Sequence, residues 1–368
     1  MTLSILIYLF AGLILLVVGA EVLVRGAAKL AAQFGIPPLI IGLTVVAFGT
    51  SAPETAVSVQ AALDGSGDLA IGNVIGSNIA NILLILGVTA LIAPLVVSRQ
   101  LVRLDVPIMI GASLVTYALA CDGSLSRLDG ALLFAGVLGY TGFLIFNSLR
   151  DKNSNPDDEF AAEFGLDKAP KPYASAINLA LIIAGLVLLV SGSNFLVHGA
   201  TELARALGLS ELVIGLTVVA IGTSLPELAT SVMAALKGER DIAVGNIVGS
   251  NIFNLLCVLG LASMVSPQAI AVAANALQFD FPVMIAVAIA CLPIFFNGYA
   301  INRWEGGVFV VYYAIYTAYL IMHSSAAPWL GALQQAMLAF VLPLTALTLI
   351  VIGAHAWRRH RQLQGVTK

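Results

Sequence analysis

Charge is scarce in this 368-residue chain: 10% of its residues are Asp, Glu, Lys or Arg, against 60% hydrophobic residues and a mean hydropathy of +0.99. Soluble domains carry about a quarter charged residues, so a water-soluble globular protein is excluded. Cysteine is also rare. Cys121, Cys257 and Cys291 stand singly, with no CxxC or His-rich spacing, so neither a disulfide framework nor a zinc site is implied. The chain lacks an HExxH motif, a phosphate loop and an evident nucleophile and base pair, which leaves an intramembrane enzyme without support. A net charge of -3 carries no nucleic-acid signature. His198, His323, His355 and His360 all fall near the ends of apolar runs and are not read as ligands.

What is present is long apolar runs, too long and too continuous for barrel strands, which would alternate. They predict helices at about 3–31, 37–63, 69–94, 103–120 and 128–148, then 174–204, 209–236, 242–265, 276–296 and 303–322, and a last one at 334–357. The N-terminal run lacks a basic leader and is read as a retained first span, not a cleaved signal. Residues 151–172, rich in charge, Pro and Asn, form the one long polar segment and are expected to be a cytoplasmic linker. Its acidic residues lack EF-hand spacing.

The chain carries one sixteen-residue stretch twice. LIIGLTVVAFGTSAPE at Leu39–Glu54 and LVIGLTVVAIGTSLPE at Leu212–Glu227 agree at thirteen of sixteen positions, at an offset of 173 residues. The same offset relates GAEVLVRGA at Gly19 to GSNFLVHGA at Gly192, and IGNVIGSNIAN at Ile71 to VGNIVGSNIFN at Val244, so no insertion is expected between the copies. Five spans per copy is an odd number, and the second copy must enter the membrane from the opposite side. The expected fold is therefore an all-α polytopic membrane protein of two inverted five-helix repeats, ten spans in all, with an appended eleventh. Its parts are a first repeat at 1–150, the linker, a second repeat at 173–323, and the extra span with a basic tail at 324–368. Placing the N-terminus outside and the C-terminus inside puts 15 of the 17 Lys and Arg residues on the cytoplasmic side, leaving Arg127 and Arg205 outside.

Each copy ends in Gly-Thr-Ser-x-Pro-Glu inside an apolar run. Pro53 and Pro226 remove a helical hydrogen bond and crowd the carbonyl four residues back, so each span is expected to break there. The break is expected to free carbonyls of Ala47, Gly49 and Thr50, and of Ala220, Gly222 and Thr223. Thr50 or Ser51, and their counterparts Thr223 or Ser224, are expected to cap the new half-helices, with Glu54 and Glu227 in the first turn. A carboxylate at that depth has no packing value to offset its desolvation. The second motif adds Asn73, Ser77 and Asn81 on one helix face and Asn246, Ser250 and Asn254 on its copy. These polar side chains either glue helices together or line a cavity, while Asn78 and Asn251 are read as interhelix bonds and Gly72, Gly76, Gly245 and Gly249 as points of close approach. Glu21 and Arg25 read as an interfacial pair at helical spacing. Carboxylate, carbonyl and hydroxyl oxygens are hard donors suited to Ca2+ or Na+. Two glutamates neutralise one Ca2+. Without a cation at least one takes up a proton, so protons compete.

These motifs resemble the paired alpha repeats of the cation/calcium antiporter superfamily, and within it the bacterial sodium/calcium exchanger branch. The resemblance covers the ten repeated spans. It implies that Glu54 and Glu227 are the shared centre of Ca2+ and Na+ binding, and that carbonyls of Ala47, Thr50, Ala220 and Thr223 flank it. It implies further ligands from Ser51, Ser77, Ser224 and Ser250, with Asn81 and Asn254 lining the centre. Asparagine in both copies argues against potassium co-transport. The implied function is a secondary antiporter of a prokaryotic inner membrane, exchanging cytoplasmic Ca2+ for external Na+ by alternating access, with the ions as cargo and no resident cofactor. The alternatives are a Ca2+/H+ antiporter, which would need only titratable groups, and a cation channel, which would not couple two ions.

Overall fold

The computed structural model describes residues 3–34, 36–150, 174–206, 220–296, 298–324 and 329–337, together with 339, 343 and 345. The linker at 151–172, the first part of the seventh predicted span and most of the eleventh lie outside them. The chain is an all-α membrane protein. Among the described residues eight helices are long and apolar enough to cross a bilayer, and a bent pair makes a ninth.

The first repeated region contributes α1 (Leu3–Phe34), α2 (Pro38–Thr50), α3 (Ala52–Leu63), α4 (Gly67–Ile92), α5 (Leu101–Ala120) and α6 (Arg127–Arg150). The second contributes α7 (Ala174–Ala206), a turn at Ala220–Gly222, α8 (Leu225–Leu236), α9 (Arg240–Val265), α10 (Ala276–Phe296) and α11 (Arg303–Ser324). A short helix, α12 (Leu330–Ala336), follows. The described boundaries agree with the hydropathy reading to within a few residues. α2 and α3 meet at 46° beside Pro53, so the predicted break is a bend at Ser51.

One feature of the backbone was not visible in the hydropathy pattern. Among the described residues, wide π-helical turns lie within or at the start of α2, α4, α5, α9 and α10, at Gly42–Val46, Asn81–Leu86, Leu101–Asp105, Asn254–Val258 and Ala276–Asp280. Four of them form two matched pairs, one member in each repeat. Such turns cluster at functional positions because they re-aim side chains without ending a helix.

The offset between the copies also drifts. Asn81 matches Asn254 at 173 residues, but the buried Asp105, bonded to Tyr140, matches Asp280, bonded to Tyr316, at 175 and 176 residues. The connections in the second copy are thus slightly longer, and the expectation of no insertion holds only as far as α9.

Helices α4 and α9 form the centre, and an 18-residue apolar stretch of α9 is buried completely within the protein. α2 crosses α9 closely: a Cβ on Gly245 would lie 3.0 Å from the Leu39 carbonyl oxygen, and one on Gly249 2.8 Å from that of Leu43. Gly72 and Gly76, their counterparts, meet no described neighbour within 4 Å. α1 and α7 pack antiparallel against each other through glycines spaced by seven. A Cβ on Gly12 would lie 2.9 Å from the Gly192 carbonyl oxygen, and one on Gly19 3.0 Å from that of Gly185. Two-residue ladders tie the ends of the repeats. β1 (Leu95–Val96) pairs antiparallel with β4 (Ala300–Ile301), and β2 (Ser124–Leu125) with β3 (Ile270–Ala271), each joining a loop of one repeat to a loop of the other.

Candidate functional site

The two Gly-Thr-Ser-x-Pro-Glu turns face each other at the middle of the bundle. Glu54 stands in the first turn of α3 and Glu227 in the first turn of α8, and both are completely buried. Each is held by the other repeat. Ser224 Oγ donates to Glu54 Oε1 at 3.0 Å, and Ser51 Oγ donates to Glu227 Oε1 at 3.3 Å.

This arrangement corrects the capping expectation. Ser51 and Ser224 do occupy the positions before α3 and α8, but neither side chain bonds the half-helix that follows it. A buried carboxylate is the stronger acceptor, and it draws both hydroxyls across the interface. The carbonyls behave differently from expectation as well. Ala47 O accepts the Ser51 amide at 3.0 Å and the Thr50 hydroxyl at 3.4 Å, so the bend does not leave it without a partner. Gly222 O, released by Pro226, accepts Ser193 Oγ of α7 at 2.5 Å. Of Ala220, only the backbone is described.

The second motif encloses the acids. Ser77 Oγ lies 3.3 Å from Ser224 Oγ, and Asn81 stands one turn further along the same face of α4. Thr50 Oγ1 donates to Asn246 Oδ1 at 3.1 Å. Asn73 Nδ2 donates to the Glu54 carbonyl at 3.3 Å and to Ser58 Oγ at 2.9 Å; Asn246 Nδ2 repeats both bonds with the Glu227 carbonyl at 3.4 Å and Ser231 Oγ at 2.9 Å. The two asparagines therefore brace the first turns that carry the acids. Ser58 and Ser231 were not singled out from sequence, although their matched position four residues beyond each glutamate was a usable signal.

Of the ten side-chain oxygens among the described residues that are buried with no hydrogen-bond partner, five lie on these two motifs: Glu54 Oε2, Glu227 Oε2, Asn81 Oδ1, Asn254 Oδ1 and Ser250 Oγ. Buried polar atoms are nearly always satisfied, and leaving one unpaired costs about 1–3 kcal/mol, more when it is charged. Five on two matched motifs form a donor set with the hard-oxygen chemistry of Ca2+ and Na+ coordination. No cluster of three or more His, Cys, Asp or Glu occurs among the described residues, so acids alone do not make the site.

Facing acids in the first turns of two half-helices, sunk among apolar spans, define a secondary cation transporter and not an enzyme. The chain belongs to the sodium/calcium exchanger protein family, whose profile matches residues 4–146 and 177–322. It is 34% identical over 344 residues to the sodium/calcium exchanger MaX1 of Methanosarcina acetivorans, covering 85% of this chain and 97% of that protein. It is 42% identical over 285 residues to the inner membrane protein YrbG of Escherichia coli strain K12, covering 77% of this chain and 87% of that one. A solved structure of the sodium-calcium exchanger NCX_Mj, soaked with zero Na+ and Ca2+, superposes with a TM-score of 0.74 at 30% identity, covering 87% of this chain and all of that one.

Proposed function

We propose that the protein extrudes cytoplasmic Ca2+ in exchange for external Na+ across a prokaryotic inner membrane, at a single site shared by both ions. The observation that carries this reading is the reciprocal pair of buried glutamates, each bonded by the other repeat's serine and each with one free carboxylate oxygen. In this reading Glu54 and Glu227 bind Ca2+ directly, Asn81 and Asn254 complete its shell, and Ser51, Ser77, Ser224 and Ser250 serve Na+ together with carbonyls of Ala47, Thr50, Ala220 and Thr223. Two carboxylates are balanced by one Ca2+ or by monovalent ions, and exchange follows if the site crosses between faces only when neutralised. The proposed frame is two inverted repeats of five spans at 1–150 and 173–323, a cytoplasmic linker at 151–172 and an appended eleventh span in 324–368, with the N-terminus outside and the C-terminus inside. The cross-repeat ladders and the distribution of Lys and Arg support it.

Ca2+ uptake into proteoliposomes at clamped pH tests the function. Na+-loaded vesicles are expected to take up Ca2+ and choline-loaded ones not. Equal uptake in both would remove the sodium coupling, and uptake driven by a pH gradient alone would favour Ca2+/H+ exchange.

A further inference from the structure

A carboxamide presents oxygen to a cation in one orientation and a repelling NH2 in the other, so an asparagine lining a cation site must be held the right way round. Asn81 and Asn254 have their NH2 groups engaged. Asn81 Nδ2 donates to Asn251 Oδ1 at 3.1 Å, and Asn254 Nδ2 donates to Asn78 Oδ1 at 3.1 Å. The remaining Oδ1 of each is one of the buried unpartnered oxygens. Asn78 and Asn251 are fixed in turn. Asn78 Nδ2 donates to the Asn251 carbonyl at 3.2 Å and approaches Met284 Sδ at 3.7 Å, while Asn251 Nδ2 donates to Met109 Sδ at 3.4 Å. The soft thioethers and the carbonyl can only accept. Each clamp amide is thereby turned so that its oxygen faces the other repeat's site amide. All four asparagines are buried, and the clamp forms where α4 and α9 cross, at the onset of their matched π turns.

We infer that Asn78 and Asn251 are positioning residues for cation binding: they set the orientation of Asn254 and Asn81 so that both amide oxygens point into the site. This rests on the cation-site reading above. The clamp also makes the site a cross-repeat device, since each repeat orients a ligand that belongs to the other. Simple interhelix glue would need only the donors of Asn78 and Asn251; the clamp needs their acceptors as well.

The experiment exploits that difference. Asn78→Leu and Asn251→Leu remove both functions, and each is expected to raise the Ca2+ KM of Na+-driven exchange by about tenfold with kcat nearly unchanged, the usual cost of losing a residue that orients a metal ligand. Asn78→Asp and Asn251→Asp keep an oxygen acceptor for the site amide, and are expected to change the Ca2+ KM far less than the Leu variants do. In an Asn254→Leu background, Asn78→Leu is expected to add nothing. Asp variants as impaired as Leu variants, or additive losses in the double substitution, would overturn the inference. Should the Leu variants fail to fold, the Asp pair alone decides it: a KM raised tenfold counts against the clamp. Wild-type vesicles run in parallel separate the two readings, since absence of Na+-driven uptake there strikes the proposed function itself.

Discussion

Helices α3 and α8 begin with nearly the same words, Ser-Ala-Pro-Glu and Ser-Leu-Pro-Glu, yet they live in different surroundings. On α3 the face carrying Ala52, Ala56 and Val57 is exposed, with Val57 at 37%; the matching Leu225, Ala229 and Thr230 are partly or fully buried, Thr230 at 0%. The cause is the α1 and α7 pair, which packs along α8 and leaves α3 nearly untouched. Its polar contacts follow the same bias: Ser193 of α7 reaches the Gly222 carbonyl, and Lys237 at the end of α8 forms a 3.0 Å ion pair with Glu21 of α1, which also holds Arg25 at 2.8 Å. The first repeat has Ala20 where the second has Ser193, and Asp64 where the second has Lys237. Duplicated sequence gives a symmetric centre, and the symmetry is lost outside it by where one helix pair rests.

That contrast can be broken or sharpened by experiment, and the largest effect comes from the part that is symmetric. Glu54→Gln and Glu227→Gln are expected to be equally severe, each lowering exchange at least about a hundredfold, the scale of breaking a buried charged contact. Transport measured on folded variants checks it, and a large difference between the two would deny the shared centre. The unequal surroundings are next. In a Cys121→Ser background, Val57→Cys is expected to react readily with a thiol reagent offered on the outer face, while Thr230→Cys stays protected from the same reagent offered on the cytoplasmic face; equal labelling would mean that the two half-helices are equally covered. Ser193→Ala leaves the Gly222 carbonyl without its hydroxyl, at a cost of about 1 kcal/mol or roughly fivefold in an equilibrium. Removing that contact is expected to raise labelling at Thr230→Cys by a comparable factor. The smallest effect belongs to Lys237→Gln, because its ion pair is half-exposed; it is expected to shift labelling in the same direction at low ionic strength and not at high.

The described spans and the bend beside Pro53 were legible in the sequence because hydropathy and proline act locally, and helix length is set by bilayer thickness. Glu54 and Glu227 were legible because desolvation makes a mid-span acid conspicuous. The destinations of Ser51 and Ser224 were not. A local rule pointed to capping, and the partner that won lies 170 or 176 residues away along the chain. The π turns were hidden because one extra residue per turn hardly alters an all-apolar pattern. Asp105 and Asp280 escaped for another reason: each precedes a proline by two residues, but the loops before them differ in length and move the match off the common offset.

The two small ladders at β1/β4 and β2/β3 each take one strand from either half of the chain, at opposite ends of the bundle. Together they behave as a hoop around α4, α5, α6, α9, α10 and α11, in which neither half can drift without dragging the other. The glycine-matched rods α1 and α7 lie outside that hoop. Neither rod carries a strand of either ladder, and the polar links from this pair to α8 and the turn before it run through Ser193 and Glu21 instead.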